Sequence, residues 1–397
     1  MNEEADGLPV RPSVKPADPR FSSGPCKKHP GWDVSHLNTE FLGRSHRAKL
    51  PKQRLRDAID KSHRLLGLPA DWRLGIVPGS DTGAFEMAMW SLLGPRPVDA
   101  LVWESFSSDW AKDLQALGIE ELNLLHADYG ELPDLGKVNP AHDLVMVYNG
   151  TTSGVCLPDL DWLDADRDGL VLCDATSAAY AMPIEFGKLD VVTWSWQKVL
   201  GSEAAHGMLA LSPRAVARLE SSPPRYPLPK LFQLTKNNRL VEGIFSGATI
   251  NTPSMLALED LHLALDWADS IGGVEALWRR TRGNFDSIDS WVEKTPWIDW
   301  LARAPATRSP TSMCLQVVDH DFCRISTEDQ QQAINAMLAR LEAENVAFDI
   351  GNYRSAPPGF RVWGGATVET SDLAALTPWL DWTFAACKQS MQENQHD

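Results

Sequence analysis

Two residues with complementary chemistry, Asp174 and Lys198, each follow a short run of strand-forming residues. Residues 169–173 are typical of a buried strand that ends at Asp174, and residues 190–195 predict a second strand that leads to Lys198. Because α/β proteins bind ligands at strand ends, the pair indicates a site. A lysine amine can form a Schiff base with pyridoxal phosphate (PLP), and a carboxylate can keep the ring nitrogen of this cofactor protonated. Taken alone, the pair also fits a surface lysine and a helix-capping aspartate.

Predicted strands recur along the first half of the chain, with helical spacers between them. They begin near residues 74, 99, 143, 169 and 190. Repeated strand and helix units predict an α/β fold with a mainly parallel sheet, whose binding loops share one edge. The loops after these strands are therefore expected to meet in one crevice. Further strands are predicted in a second unit, over residues 312–318 and 361–368.

A turn of small residues, 79–83, lies between the first predicted strand and a helix with an apolar face. The backbone N–H groups of residues 81–84 would then lie at a helix N-terminus, which is a ready site for a phosphate. The turn has neither the GxGxxG pattern of dinucleotide-binding loops nor the GxxxxGK[ST] pattern of ATP-binding loops. A plain capped helix explains the stretch nearly as well when it is read alone.

Two groups of cations are candidates for binding an anionic substrate. The first lies at the beginning of a helix predicted over residues 37–66 and consists of Arg44, His46, Arg47 and Lys49. Cations this close together would repel one another unless an anion shares the site. The second group lies in a Pro-Gly loop and consists of Arg354 and Arg361, whose planar guanidinium groups suit carboxylate and phosphate. A solvated helix start and surface arginines in a flexible loop are the competing interpretations.

The composition narrows the class of protein. Of 397 residues, 43% are hydrophobic and 23% are charged, which is typical of a globular chain long enough for two or three domains. The formal net charge of −16 argues against a nucleic-acid-binding surface. The acidic start lacks a signal-peptide core and no long apolar run follows, so we expect a cytoplasmic protein that does not enter a membrane. The six cysteines show no CxxC spacing, which favours free buried thiols, and no metal is expected.

Short motifs follow one another along the chain, together with the strand that ends at Asp174: FSSGP, SHR, VPGSDTGAFE, NGTTSGV, SWQK, INTPSM and RS…R. In this order they resemble the phosphoserine aminotransferase family of class V aminotransferases, over about residues 21–370. The resemblance implies the aspartate-aminotransferase-like PLP fold type I. In this α/β fold, residues 21–270 would form a large PLP-binding domain with a mainly parallel sheet, and residues 271–397 a small C-terminal domain. Residues 1–20 would form an extended proline-rich arm.

The resemblance also implies the reaction. A PLP-dependent enzyme of this family moves the amino group of glutamate onto 3-phosphohydroxypyruvate, giving O-phosphoserine and 2-oxoglutarate in serine biosynthesis. Some members also act on the 4-phosphohydroxythreonine couple of pyridoxine synthesis. Lys198 would be the Schiff-base lysine and the base that moves a proton between Cα and C4′, and Asp174 would pair with the ring nitrogen. A homodimer with shared active sites is expected.

Roles for the remaining site residues are carried over from the family. Thr151 would hydrogen-bond the phenolic oxygen of the ring, and Phe106 occupies the ring-stacking position. The cofactor phosphate would be held by Asp81, Thr82 and Gln197, and across the dimer by Asn251 and Thr252. The substrate phosphate, or the side-chain carboxylate of glutamate, would be bound by His46, Arg47 and Arg354. The α-carboxylate would be bound by Arg361 and Ser23.

Three positions depart from the common pattern of the family. Phe106 stands where many members have a tryptophan, so Trp103 or Trp110 could stack on the ring instead. Tyr353 stands where a histidine commonly precedes the first C-terminal arginine. Thr82 stands where many members have an arginine.

Two other functions fit part of the pattern. Another class V enzyme, such as a serine–glyoxylate aminotransferase, would need fewer cations than His46, Arg47 and Arg354 supply together. A non-catalytic PLP-binding protein on the same fold would have no need of Lys198.

Overall fold

The computed structural model describes residues 10–393, and residues 1–9 and 394–397 lie outside this description. Within it, eight α-helices occur: α1 (Lys49–Leu66), α2 (Ser80–Leu92), α3 (Ser105–Ala116), α4 (Pro213–Ser221), α5 (Met255–Ser270), α6 (Gly273–Val292), α7 (Thr327–Ala343) and α8 (Thr370–Glu393). The strands are β1 (Arg73–Pro78), β2 (Val98–Val102), β3 (Leu122–His126), β4 (Asp143–Val147), β5 (Asn149–Gly150), β6 (Val155–Cys156), β7 (Val171–Asp174), β8 (Val191–Ser195), β9 (His206–Leu211), β10 (Thr235–Lys236), β11 (Arg239–Leu240), β12 (Ile298–Trp300), β13 (Ser312–Val317) and β14 (Phe360–Trp363). None of the described helices is both long and apolar enough to span a membrane.

The large sheet has seven strands in the order β1-β9-β8-β7-β4-β2-β3. The pairs from β8 to β3 are parallel, whereas β9 is antiparallel to β1 and to β8. The mainly parallel sheet is therefore confirmed, and all five predicted strands are present. Every residue of β4, β7 and β8 is buried, as expected for strands that are covered on both faces. The edge strand β3 was not predicted, because its sequence LNLLH is only partly buried and shows no continuous apolar run.

The strand ends that face the site come from three neighbouring strands. In the parallel register Asp174 at the end of β7 lies opposite Val147 on β4 and Thr193 on β8. Lys198 follows β8 after two more residues. The carboxyl ends of β4, β7 and β8 therefore bring Asp174 and Lys198 to the same edge of the sheet.

Helix α2 lies very close to the sheet because two positions lack a side chain. A Cβ atom on Gly83 would lie 2.1 Å from the carbonyl oxygen of Pro78, and a Cβ atom on Gly207 would lie 2.1 Å from the carbonyl oxygen of Ser80. Both separations are far inside van der Waals contact, so a larger residue at either position would push the helix away. The two glycines thus set the N-terminus of α2 over the strand ends.

The second unit is built on the antiparallel sheet β12-β13-β14. The strand predicted over residues 361–368 is shorter than expected and ends at Trp363. Gly364 and Gly365 follow, and a Cβ atom on Gly365 would lie 2.4 Å from the indole nitrogen of Trp363, so the chain turns back at this point. Arg361 lies opposite Cys314 in this sheet.

The helix predicted over residues 37–66 is also shorter than expected. It begins at Lys49, and Gly43 before it has φ 74°, in the left-handed region that interrupts a helical run. Arg44, His46 and Arg47 therefore lie in turns that precede α1 and not on a helix.

The described part of the proline-rich arm, residues 10–20, lies against the C-terminal unit. Trp379 Nε1 donates a hydrogen bond to the carbonyl oxygen of Val14 at 2.7 Å, and Asp372 accepts one from the backbone N–H of Ala17 at 2.8 Å. Residues 1–9 of the expected arm lie outside the described residues.

Candidate active site

The amine of Lys198 is enclosed by the loop that contains Ser23 and Gly24. Lys198 is 9% exposed, and its Nζ donates a hydrogen bond to the carbonyl oxygen of Ser23. A Cβ atom on Gly24 would lie 2.5 Å from Nζ, so this glycine leaves the space that the amine occupies. Burial lowers the pKa of the Lys198 amine, and the nearby Arg361 guanidinium lowers it further. An amine with a lowered pKa is available as a nucleophile or a base near neutral pH.

The carboxylate of Asp174 is fixed by donors from two different segments. Oδ1 accepts a hydrogen bond from the backbone N–H of Thr176 at 2.9 Å, and Oδ2 accepts one from Nε1 of Trp110 at 3.1 Å. Trp110 packs in turn against Phe85 on α2, with 4.8 Å between the ring centroids. A carboxylate held in this way has one orientation and can face a protonated ring nitrogen.

A cavity of about 370 Å³ lies between Asp174 and Lys198. Its wall includes seven residues to which the sequence analysis gave cofactor contacts: Asp81, Thr82, Phe106, Thr151, Asp174, Gln197 and Lys198. Polar residues without an assigned role also line it, among them Ser80, Asn149, Thr176, Ser177, Ser195 and Glu203. Ser80, Asn149 and Ser195 lie within the quoted motifs, and this position was the only sequence signal for them. The loops after β4, β7 and β8 thus meet in one place.

One end of the cavity is rich in polar groups without partners. Helix α2 begins after Gly79, which has no side chain to cap the first N–H groups of the helix. The hydroxyl of Ser195 and the side-chain oxygen of Gln197 are buried and have no hydrogen-bond partner among residues 10–393. An uncapped helix N-terminus flanked by a hydroxyl and an amide fits a phosphate group.

Another wall is a network of hydroxyl and amide groups around Ser177. Thr151 Oγ1 and Asn149 Nδ2 each donate a hydrogen bond to the Ser177 hydroxyl oxygen at 2.9 Å. The side-chain oxygen of Asn149 is buried and lacks a partner in the described chain. This wall holds polar groups in fixed positions where a ring oxygen could be bound.

The mouth of the cavity is formed by an aromatic contact between α3 and the loop before β14. Phe106 and Tyr353 pack with ring centroids 5.5 Å apart, and the Arg361 guanidinium lies 5.4 Å from the Tyr353 ring. The buried Nε of Arg361 has no hydrogen-bond partner within residues 10–393. Trp103 does not line the cavity, and its Nε1 donates to the carbonyl oxygen of Val155 at 3.2 Å. Phe106 is therefore better placed than Trp103 to face a bound ring.

A buried carboxylate that the sequence analysis did not single out, Asp260 on α5, joins the two loops beside Lys198. It accepts hydrogen bonds from Lys28 Nζ at 2.8 Å, Trp32 Nε1 at 2.8 Å, Ser202 Oγ at 2.7 Å and the backbone N–H of Glu203 at 2.7 Å. Burial alone would raise the pKa of Asp260, but the hydrogen bonds from Lys28 and Ser202 outweigh it and the pKa is lowered. No local pattern marks such a residue, because its donors come from distant segments.

A second buried acid, Glu104, connects the Thr151 loop to α3. It accepts hydrogen bonds from the backbone N–H of Ser107 at 2.6 Å and from the Thr152 hydroxyl at 2.7 Å, and so caps the helix that carries Phe106. Burial raises the pKa of Glu104 to about 7.

Comparisons with known proteins find relatives along the whole chain. The phosphoserine aminotransferase of Methanosarcina barkeri is 52% identical over 380 residues, which cover 96% of this chain and 100% of the relative. The chain belongs to the phosphoserine aminotransferase family. No protein-family model matches it.

Solved structures of the phosphoserine aminotransferase family show the same fold. The protein from Cytophaga hutchinsonii superposes with a TM-score of 0.75 at 19% identity, over 92% of this chain and 98% of the other. The PLP-bound protein from Trichomonas vaginalis superposes with a TM-score of 0.71 at 16% identity, over 91% and 99%. At these identities, the two structural similarities show the fold alone. Together with family membership, they confirm the expected fold type, the aminotransferase class and the dependence on PLP.

The residues expected to bind substrate in this family lie outside the cavity wall. Arg354 lines a neighbouring cavity of about 510 Å³ together with Lys112 and His126, and Tyr353 borders both cavities. Three hydroxyl groups hold this loop against the large sheet. Ser105 Oγ lies 2.8 Å from Tyr129 Oη and 2.8 Å from Ser355 Oγ, and the last two lie 3.0 Å apart.

Four other expected residues, on two segments, do not line the cavity of their own chain: His46, Arg47, Asn251 and Thr252. Nε2 of His46 is buried without a partner among the described residues, and burial, with a smaller effect of Arg47, lowers the pKa of its imidazole. Arg47 is exposed and forms no ion pair within residues 10–393. Ser23 reaches the site through its carbonyl oxygen, while its hydroxyl lies 3.5 Å from that of Ser312.

Proposed function

We propose that this enzyme transfers the amino group of glutamate to 3-phosphohydroxypyruvate, which gives O-phosphoserine and 2-oxoglutarate in serine biosynthesis. The observation that carries the proposal is the guanidinium of Arg361. Its buried Nε has no hydrogen-bond partner in the described part of the chain, and it is close enough to Lys198 to lower the pKa of the amine. A guanidinium in this position suits the α-carboxylate that the two amino acids share. The name of the M. barkeri relative supports the phosphorylated acceptor.

The residues of this chain divide the chemistry between them. When bound, PLP supplies a carbonyl carbon for the amino group and an electron-withdrawing ring. Asp174 would hold the ring nitrogen, because Trp110 and Thr176 fix the direction of its carboxylate. The neutral amine of Lys198 would take the proton from the α-carbon of glutamate and return a proton to the α-carbon of the product. The burial of this amine keeps water away from the proton.

We also propose a homodimer in which each subunit contributes residues to the site of the other. This role was expected of Asn251 and Thr252, and we extend it to His46 and Arg47, because none of the four lines its own cavity. Exposed apolar side chains lie close to them in sequence, and Leu42, Leu50 and Leu256 are 39%, 52% and 49% exposed. Apolar groups next to unpaired cations suit a partner that brings an anionic site of its own.

A mixed dimer tests the shared site. Lys198→Ala and Arg47→Ala chains are inactive or impaired as separate homodimers, and are then mixed, unfolded and refolded together. If Arg47 serves the other subunit, each mixed dimer has one intact site, and about a quarter of the wild-type activity returns. If Arg47 acts within its own subunit, no site is intact and mixing restores nothing, which would contradict the proposal. Mixing Lys198→Ala with Asp174→Ala chains is the matched control, because both residues lie in the same cavity and no activity should return.

A single-turnover assay tests the substrate. The enzyme is first aminated with glutamate, and 3-phosphohydroxypyruvate, glyoxylate or the oxidised 4-phosphohydroxythreonine acceptor is then added in parallel samples. We expect rapid return of the cofactor spectrum with 3-phosphohydroxypyruvate and a loss of this preference in Arg47→Ala. Return with glyoxylate alone would overturn the proposed acceptor and leave the aminotransferase class intact. The third sample shows whether the pyridoxine-pathway couple is also used.

We further propose that the domains extend over residues 21–270 and 271–397, with the change of domain at the paired glycines Gly272 and Gly273. Both have positive φ, 110° and 72°. Gly272 lies between α5 and α6, and Gly273 is the first residue of α6. A location in the cytoplasm stays a prediction from the sequence.

A further inference from the structure

The cofactor cavity contains a second carboxyl group beside that of Asp174. Asp81 lies in the first turn of α2, is 6% exposed and lines the cavity. Its Oδ1 is buried and has no hydrogen-bond partner among residues 10–393. Asp174 lines the same cavity, and its oxygens already accept hydrogen bonds from Thr176 and Trp110. Family membership gives Asp81 only a backbone contact to the cofactor phosphate, which leaves this buried side chain without a role.

We propose that Asp81 is a positioning residue that keeps its proton, donates it in a hydrogen bond to Asp174, and so sets how strongly Asp174 binds the ring nitrogen of the cofactor. The role of Asp174 in this statement rests on the proposed function. The protonation of Asp81 is argued only from the surroundings of its side chain in the cavity.

Charge repulsion is the physical reason for the proton. If both carboxyls were ionised, two negative charges would share a buried site with the cofactor phosphate, and one of two such carboxyls commonly keeps its proton. Burial raises the pKa of Asp81 well above its ordinary value, and the charge of Asp174 raises it further. The hydroxyls of Thr176 and Thr193 lower it only in part.

The other titratable groups around this pair do not supply a compensating cation. Burial lowers the pKa of Lys198 and of His206 on β9, which favours their neutral forms. Burial raises the pKa of the Cys173 thiol on β7 well above its usual value, and that of Glu104 to about 7. The N-terminus of α2 attracts negative charge, but in this site the cofactor phosphate would occupy it.

The hydrogen bond has a direct effect on Asp174. A donor that binds a carboxylate withdraws negative charge from it, so the carboxylate attracts the ring proton less strongly. Asparagine at position 81 would keep a donor, whereas alanine would remove it. An ionised Asp81 would instead repel Asp174 and the phosphate.

The first test uses the protein without cofactor and needs no reaction. A carboxyl whose pKa is raised by folding stabilises the fold below its unfolded-state pKa, and this stability is lost as the pH rises through the folded-state pKa. The melting temperature of Asp81→Asn relative to the wild type should therefore rise between about pH 5 and pH 8. A difference that does not depend on pH in this range would indicate an ordinary ionised aspartate and would overturn the proposal.

Infrared difference spectra provide a readout that does not depend on the folding of the Asn variant. We expect the wild-type protein to show the C=O stretch of a protonated carboxyl, which disappears as the pH is raised. Because Glu104, with a pKa of about 7, adds a band of its own below neutral pH, we expect one component that persists in Glu104→Gln and is absent in Asp81→Asn. A wild-type spectrum without it, or with a band that is lost in Glu104→Gln alone, would refute a protonated Asp81.

The affinity for PLP, measured by titration, tests the link to Asp174. Asp81→Asn should bind PLP within about twofold of the wild type, and Asp81→Ala about tenfold more tightly, because Asp174 without this donor attracts the ring proton more strongly. Glu86→Gln changes an acid on the same helix that does not line the cavity, and should bind like the wild type. Equal binding by Asp81→Ala would contradict the role of Asp81. If these results hold and 3-phosphohydroxypyruvate is not a substrate, only the proposed function fails.

Discussion

Gly24 offers a sharp test of how the site holds its lysine. In Gly24→Ala the new Cβ would lie 2.5 Å from Lys198 Nζ and 2.8 Å from its Cε, so the amine has to leave its position against the carbonyl oxygen of Ser23. The backbone at Gly24 also has φ 146°, a region that residues with a side chain rarely adopt. The substitution therefore acts on the fold and on the chemistry through two separate causes.

The two effects differ in size. The backbone strain should lower the free energy of unfolding by about 1–3 kcal/mol. The clash adds little to this, because the end of a lysine side chain can move. Movement of the amine by about 1 Å, however, can reduce turnover about 100-fold, since the nucleophile and base is then misplaced.

Two measurements separate these effects. Urea unfolding monitored by tryptophan fluorescence gives the change in stability, and the single-turnover rate with glutamate gives the change in chemistry. Gly187→Ala is the matched control, because nothing lies within 4 Å of a Cβ atom at that position. We expect the control to resemble the wild type in both measurements.

One result would refute the reasoning. If Gly24→Ala is destabilised as expected but turns over at the wild-type rate, the position of Nζ against Ser23 is not the one that the reaction uses. A loss of activity in proportion to unfolded protein, with normal turnover per folded molecule, would lead to the same conclusion.

Two further predictions follow from the buried groups of the site. Burial lowers the pKa of Lys198 from its usual 10.5, so the wild-type protein without cofactor should gain stability as the pH rises toward that value. Lys198→Met should have a higher melting temperature than the wild type near pH 7 and should lose this advantage at higher pH. Melting curves from about pH 7 to pH 10 check this, and a pH-independent difference would contradict it. Trp110→Phe removes the hydrogen bond of 3.1 Å to Asp174 and should weaken PLP binding about tenfold. Trp162→Phe is the control and should bind PLP like the wild type, because Trp162 Nε1 bonds only to the carbonyl oxygen of Asp159. Equal titration curves for the two variants would exclude the orienting role of Trp110.

The part of the site that sequence could predict is the part that is local in the chain. Asp174 and Lys198 each stand directly after a strand, so the periodicity that identifies β7 and β8 also locates the two residues. The phosphate turn of residues 79–83 is similarly local, because strand, glycine and helix follow one another. The family resemblance then gave most of these residues their roles.

Contacts between distant segments could not be predicted. The indole of Trp110 meets Asp174 only because α3 and β7 pack on the same edge of the sheet. Asp81 shares a cavity with Asp174 because Gly83 and Gly207 let α2 approach the sheet. Trp110 was considered as a stacking residue, whereas the structure gives it a polar contact. The helix expected from residue 37 began instead at Lys49, since Gly43 has a left-handed backbone conformation that residue periodicity does not reveal.

The charges of the site indicate why substrate recognition has to come from outside the cavity. With Asp81 protonated, as proposed, Asp174 and Glu203 would carry the negative charges of the cavity wall, and Arg361 is a nearby cation that lowers the pKa of Lys198. A cofactor phosphate at the N-terminus of α2 would add about two negative charges, and a phosphorylated substrate about two more. If Arg361 binds the α-carboxylate of the substrate, as proposed, the second phosphate needs further cations. The candidates in this chain are Arg354, which lines the neighbouring cavity, and Arg47, which we propose serves the cavity of a second copy. The acceptor preference of the enzyme should therefore depend on these two arginines and on the dimer, and not on the residues at the strand ends.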